Sequence, residues 1–301
     1  MKHGSSGHTL VLSKMVAVVG ARITVLCLHI GNQKTSHGGL ERKKMKDGII
    51  GRPIRLNQHS LKHNGHYAEV MFIGDVHYGS PQCDIERFTA NIKYCLKHKI
   101  YVYLMGDLTE VATRHSVGAG VYEQTMTADD QHVQMVEWLT PLAEAGLILG
   151  THQGNHGERT YKEAGYNIDK ALARELKIPY LGDACWSKFR VGQETYTIYS
   201  LHGRTGSRFD GTALLAIERI STSFFADLVC QGHVHKCISS IVLMQRVMSG
   251  QVLEHKKHLL ITGAYVKYDR GYGQTLGLPI SKLGSPKVKF FASKHDLVIS
   301  W

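Results

Sequence analysis

The chain of 301 residues has little of what marks disulfide-bonded, glycosylated or membrane-spanning proteins. Its six cysteines form no CxxC pair, and none of its six asparagines begins an N-x-[ST] sequon. A reducing, cytoplasmic location is therefore the simpler interpretation. The apolar stretch at 15–30 is divided by Arg22 into runs shorter than the roughly 20 residues of a spanning helix. We expect neither export nor a membrane partner.

Acidic residues are scarce in the first part of the chain. Residues 1–65 contain eleven Lys or Arg and two acids, a net charge of +9, whereas the remaining residues carry 25 bases and 23 acids. The pattern predicts a basic N-terminal extension over 1–65, followed by one folded domain over 66–301. A solvated basic segment explains this charge, and contact with the phosphates of a nucleic acid is the alternative.

Apolar runs and amphipathic stretches alternate after residue 67. Runs at 70–73, 101–105 and 147–151 predict buried strands with helices between them. Later segments alternate apolar and polar residues on both sides of Gly192-Gln193 and of Ser249-Gly250, which is typical of hairpins. We therefore predict an α/β fold in which two mixed β-sheets pack together, with helices outside.

One helix start and one irregular segment can also be identified. Thr127 and Asp130 indicate the capping box of a helix that Pro141 kinks or interrupts. The preceding stretch, 108–126, contains glycines and lacks periodicity, so we interpret it as a functional loop.

Polar side chains of the metal-binding type follow five of the apolar runs. The segments are Gly74-Asp75-Val76-His77, Gly106-Asp107, Gly154-Asn155-His156, Leu201-His202-Gly203 and Gly232-His233-Val234-His235. They offer carboxylate, amide and imidazole ligands without a thiolate, a donor set that suits borderline divalent metals. Each motif is weak by itself, but five in this order form a specific pattern.

The order and spacing of these segments resemble the calcineurin-like metallophosphoesterase family over residues 67–267. The resemblance implies a metallophosphoesterase domain with a four-layer αββα sandwich, whose metal site lies on loops at one rim of the sheets. One ion would be bound by Asp75, His77 and His235, a second by Asn155, His202 and His233, and Asp107 would bridge the two. Mn²⁺ is the favoured ion, and Fe, Zn, Co or Ni suit the same ligands.

The resemblance also implies a catalytic histidine. His156 would act as general acid on the leaving group or stabilise charge on a phosphoryl oxygen. The acidic residue that the family usually places after this histidine is replaced by Gly157. Glu158, one position further on, is the candidate to orient His156 if the turn at Gly157 redirects the chain; the alternatives are a distant carboxylate such as Asp183, or no orienting group.

Three arginines near the motifs are candidates for binding the substrate phosphate: Arg204, Arg114 and Arg159. The resemblance implies dinuclear metal-dependent hydrolysis of a phosphate ester, and we favour a phosphodiesterase. The alternatives are a DNA or RNA nuclease, a phosphomonoesterase and a scaffold that has lost catalysis. All seven ligand positions are intact, which argues against the scaffold.

Overall fold

The computed structural model describes residues 56–114, 116, 120–204, 209–269, 272–275, 277 and 279–301. The predictions for the basic extension up to residue 55 and for the apolar stretch at 15–30 lie outside these ranges. Within them, no helix has both the length and the apolar character needed to cross a membrane.

Strands and helices follow one another along the described chain. The strands are β1 (Asn57–Leu61), β2 (Tyr67–Ile73), β3 (Tyr101–Leu104), β4 (Ile148–His152), β5 (Tyr180–Gly182), β6 (Ala184–Val191), β7 (Glu194–Leu201), β8 (Leu228–Gln231), β9 (Cys237–Met248), β10 (Gln251–Thr262), β11 (Lys287–Phe291) and β12 (Leu297–Ser300). The helices are α1 (Ile85–His98), α2 (Gly120–Glu123), α3 (Ala128–Glu144), α4 (Asn155–Ala164), α5 (Ile168–Glu175), α6 (Asp210–Ser221) and α7 (Tyr272–Thr275).

The strands form two six-stranded sheets. One has the order β12-β11-β2-β3-β4-β5 and the other the order β1-β6-β7-β8-β10-β9, and both combine parallel with antiparallel pairs. The two hairpins predicted from the turn residues are β6-β7 and β9-β10. The prediction of two mixed sheets is confirmed.

Three apolar clusters arrange the elements in four layers. Phe72 and Tyr103 of the first sheet pack with Phe189 and other residues of the second, which fills the space between the sheets. A second cluster joins α1, α3 and α5 to the outer face of the first sheet. A third packs Ile217 of α6 against the second sheet. Because helices cover both outer faces, the αββα architecture is confirmed.

Two predicted boundaries differ from the structure. Strand β1 pairs in parallel with β6 from Asn57 to Leu61, so the sheet begins upstream of the predicted boundary between 65 and 66. Only Leu61 of this strand is buried, which left no apolar run to indicate it. Helix α3 does begin at the Thr127 capping box, but it continues through Pro141 to Glu144.

Candidate metal centre

The candidate ligands lie where strands end, at one rim of the two sheets. Asp75 and His77 follow β2, and Asp107 follows β3. His202 comes directly after β7, and the pair His233 and His235 follows β8. Asn155 is the first residue of helix α4, directly after the N-cap residue Gly154 that ends the loop following β4.

The seven residues form two adjoining clusters. The ligand atoms of Asp75, His77 and His235 lie within 4.8 Å of one another, and so do those of Asp107, His202 and His233. Asn155 Oδ1 lies 2.9 Å from His202 Nε2, which places it with the second cluster. Asp107 Oδ2 lies 3.1 Å from His202 Nε2 and 4.0 Å from His77 Nε2. The clusters coincide with the two predicted ligand sets, and Asp107 lies between them.

The atoms that converge here are suited to a cation. The Nδ1–H of His202 donates to the carbonyl oxygen of Met105 at 2.8 Å, so its Nε2 atom faces the oxygens of Asp107 and Asn155. Asp107 Oδ2 is buried without a well-formed hydrogen bond. Acceptors that face one another in the interior need a proton or a metal ion between them.

The pKa values of His202 and Asp107 also indicate that positive charge is favoured at this site. Burial disfavours the imidazolium form, yet the Asp107 carboxylate outweighs burial and raises the pKa of His202 to about 10. Burial likewise opposes ionisation of Asp107, but the positive charge of His202 holds its pKa well below the usual range. A divalent cation would take over the charge compensation that protons provide here.

The backbone at the site is strained. In the described residues nine non-glycine residues have a positive φ, and five of them are candidate ligands: Asp75, His77, Asp107, His233 and His235, with φ between 48° and 67°. Such conformations cost of order 1–3 kcal/mol each and persist where the surrounding structure enforces them. Their concentration at one rim indicates a functional site.

Glycines permit the close packing of these loops. A Cβ atom at position 154 would lie 2.0 Å from Asp107 Oδ1 and 2.3 Å from the Asp107 backbone nitrogen. Because only glycine fits there, Asp107 Oδ1 can accept the backbone N–H of His156 at 2.8 Å. Gly154 is therefore required for Asp107, the candidate bridging ligand, to lie where it does.

Glu110 is a site residue that the sequence interpretation missed. Its Oε2 accepts the Nδ1–H of His77 at 2.9 Å, so the Nε2 atom of His77 is available to a metal. Histidines that bind metals usually donate their other ring N–H to such a partner. Glu110 also lies 3.4 Å from His156 and 3.8 Å from Arg159. The one available signal was its position three residues after Asp107.

The backbone of Glu110 orients His156. The Nδ1–H of His156 donates to the carbonyl oxygen of Glu110 at 2.8 Å, and its Nε2 accepts from Arg159 at 2.9 Å. Burial, together with the nearby charges of His77 and Arg159, lowers the pKa of His156 to about 4. The ring is therefore neutral at rest, and Arg159 is the cationic group beside it.

Glu158 does not orient His156, which corrects that prediction. Its carboxylate pairs with Arg204 at 2.6 Å and with Lys162 at 3.2 Å. Residues two positions apart on a helix point to different sides, whereas Arg159, three positions from His156, shares its face. Asp183 does not orient His156 either, because the carbonyl of Glu110 occupies its Nδ1.

The three candidate arginines have different surroundings. Arg159 contacts His156 and the hydroxyl of Ser116, and its side chain is 26 % exposed. Arg204 is 62 % exposed in its pair with Glu158, and Arg114 is exposed on the loop after β3. The structure thus places Arg159 beside His156.

A cavity of about 290 Å³ opens beside the second cluster. Asn155 and His202 form part of its lining, together with Arg204 and Asp183. The cavity offers both a cationic and an anionic side chain next to two candidate ligands.

Comparison with known proteins gives distant structural similarity. No family model and no curated protein matches the chain. Among solved structures, a predicted phosphoesterase from Streptococcus pneumoniae is 13 % identical over 77 % of this chain and 88 % of its own, with a TM-score of 0.34. Zinc-complexed Vps29 from Entamoeba histolytica is 15 % identical over 77 % and 97 %, with a TM-score of 0.31.

A third structure, a metallophosphoesterase from Sphaerobacter thermophilus, is 11 % identical over 77 % of this chain and 86 % of its own, with a TM-score of 0.37. The similarity to these structures is remote, and the chemistry of the site has to be inferred from the residues of this chain.

Proposed function

We propose that this protein is a dinuclear metal-dependent hydrolase of phosphate esters and that it prefers diesters. The convergence of the two ligand clusters on the buried Asp107 carboxylate is the observation that carries this proposal. Two divalent ions, with Mn²⁺ the favoured species, would supply Lewis-acid polarisation of the phosphoryl group and a water acidic enough to attack at neutral pH.

The side chains of the protein position and neutralise the reacting groups. Asp75, His77 and His235 would hold one ion, Asn155, His202 and His233 would hold the other, and Asp107 would be a ligand shared by both. Glu110 fixes the ring of His77 through Nδ1, as Met105 does for His202. These bonds leave the Nε2 atoms of both rings turned toward the other candidate ligands, where they would bind a metal.

Arg159 and His156 act on the substrate side of this centre. Arg159 lies against His156 and can donate to a phosphoryl oxygen. A bound phosphate places negative charge beside His156 Nε2, which favours its imidazolium form. His156 can then give that proton to a leaving alkoxide.

The charges of the site favour a diester over a monoester. Arg159 is within 3.8 Å of the Glu110 carboxylate, and Arg204 is paired with Glu158. The positive charges of both arginines are thus partly neutralised by carboxylates. Less positive charge remains to bind the second negative charge of a monoester. The adjoining cavity can receive the second ester group.

A substrate panel with Mn²⁺ tests the proposal. An aryl diester, an aryl monoester, a cyclic nucleotide and single-stranded DNA are compared for the wild type and His233→Ala. We expect the highest kcat/KM with the aryl diester and a large loss in the variant. Equal rates for wild type and variant would refute the metal mechanism, and faster monoester hydrolysis would refute the diester preference.

The nuclease alternative depends on the basic extension over 1–65. Cleavage of single-stranded DNA with a steep dependence on salt would favour it, provided that the dependence weakens when Arg42, Lys43 and Lys44 are replaced by glutamine. An unchanged salt dependence in that variant would exclude a role for this cluster.

A further inference from the structure

The first turn of α4 carries two functional side chains on a backbone that has no cap of its own. Asn155 and His156 are its first two residues, and glycines occupy both the N-cap position, 154, and the third helical position, 157. In a capping box the N-cap side chain accepts one N–H of the first turn, and an acid at the third position accepts the N–H of the N-cap residue. Two glycines can accept neither.

Carboxylates from outside the helix accept both hydrogen bonds instead. Asp107 Oδ1 accepts the N–H of His156 at 2.8 Å. Asp169 Oδ2, on helix α5, accepts the N–H of Gly154 at 3.0 Å. The second bond is the one that an acid at the third helical position makes in a capping box.

Asp169 also fills the space above Gly157. A Cβ atom at position 157 would lie 2.1 Å from Asp169 Oδ2 and 2.9 Å from its carboxyl carbon. Asp169 is only 3 % exposed, so the surrounding residues hold its carboxylate in this position. Any side chain at position 157 would compete with it.

Helix α3 of the same chain shows the ordinary arrangement. There the third helical residue is Asp130, and its Oδ2 accepts the backbone N–H of Thr127 at 3.3 Å. An aspartate at the third position is therefore long enough to make this bond. The comparison identifies Asp169 as the counterpart of Asp130, supplied by a different helix.

We propose that Asp169 is a positioning residue of the metal centre, which supplies from α5 the acid that position 157 lacks and thereby fixes Asn155 and His156. The inference rests on the proposed metal site. Asn155 is the amide ligand of the second cluster, so a shift of this turn moves a ligand atom. Loss of a supporting residue of this kind typically lowers metal affinity about 10–100-fold.

The test measures Mn²⁺ binding by calorimetry and amide hydrogen exchange at 154–157 in the metal-free protein. In Asp169→Ala we expect weaker binding by about tenfold or more and faster exchange. Asp169→Asn keeps an acceptor oxygen, so it should stay close to the wild type. Gly157→Asp alone should weaken binding because the new carboxylate collides with Asp169.

The double variant Gly157→Asp/Asp169→Ala is decisive. It returns the acid to the third helical position, and we expect it to recover most of the lost affinity and the slow exchange. Asp130→Ala is the matched control, since it removes a capping acid from α3. It should lower the unfolding temperature while the affinity for Mn²⁺ stays that of the wild type.

Two results would overturn the inference. One is wild-type affinity and exchange in Asp169→Ala, and the other is a double variant as weak as Asp169→Ala. If the wild type binds no metal, the proposed function fails, whereas the exchange data still decide whether Asp169 caps α4. If the wild type binds two ions and Asp169→Ala does the same with equal affinity, only the inference fails.

Discussion

Removal of the Glu110 carboxylate should weaken metal binding without unfolding the protein. Glu110 accepts the Nδ1–H of His77 at 2.9 Å, and this bond holds the ring with Nε2 toward Asp75 and His235. Partners of this kind contribute about 10–100-fold to metal affinity. At about 1.4 kcal/mol per tenfold, Glu110→Ala should cost about 1.4–2.8 kcal/mol of binding free energy.

The assay is a Mn²⁺ titration by calorimetry, accompanied by thermal unfolding of the metal-free protein. Glu110→Gln retains an acceptor oxygen, so its loss should be smaller than that of Glu110→Ala. Glu175→Ala is the matched control, because it removes a carboxylate 2.9 Å from His132 outside the site. Unchanged affinity in a folded Glu110→Ala would refute the role of this hydrogen bond.

Further predictions concern three other positions. His156→Ala should bind metal normally and lose more activity toward an alkyl ester than toward an activated aryl ester, which needs less protonation; equal losses would remove His156 from the acid role. Gly154→Ala places a methyl group on Asp107, so it should cost about 1–3 kcal/mol of stability and weaken metal binding, whereas Gly211→Ala, where the space is open, should do neither. Burial opposes the charged form of His295, but its hydrogen bond to Asp227 and its contact with Glu194 raise its pKa. The contribution of His295 to stability is therefore complete below about pH 6.5. It disappears as the pH rises through the pKa that His295 has in the folded protein. The unfolding temperature of His295→Gln should therefore fall below that of the wild type at pH 5.5 and approach it at pH 9; the same deficit at both values would contradict this.

The candidate metal ligands could be identified from five short motifs, each closely following an apolar run, whose order resembles a known family. Runs such as 70–73 and 101–105 identify the strand, and the polar residue at its end marks the rim. Parallel strands then bring Asp75 and Asp107 together at one edge of the sheet. The local pattern therefore carried most of the information about the site.

The supporting residues were not predictable in the same way. Glu158 was preferred because it is near His156 in sequence, but helical geometry directs it toward Arg204. Glu110 lies close to Asp107 in sequence, but its contact with His77 spans 33 residues, and Asp169 reaches Gly154 from helix α5. Strand β1 could not be predicted because only one of its five residues is buried, so its sequence has no apolar periodicity.

The number of metal ions per chain tests the central claim most directly. We predict that the wild type, loaded with Mn²⁺ and freed of excess metal, contains two ions per chain by elemental analysis. His77→Ala and His233→Ala should each retain one, since each loses a ligand of a different cluster. One ion or none in the wild type, or two in both variants, would contradict the two-metal account.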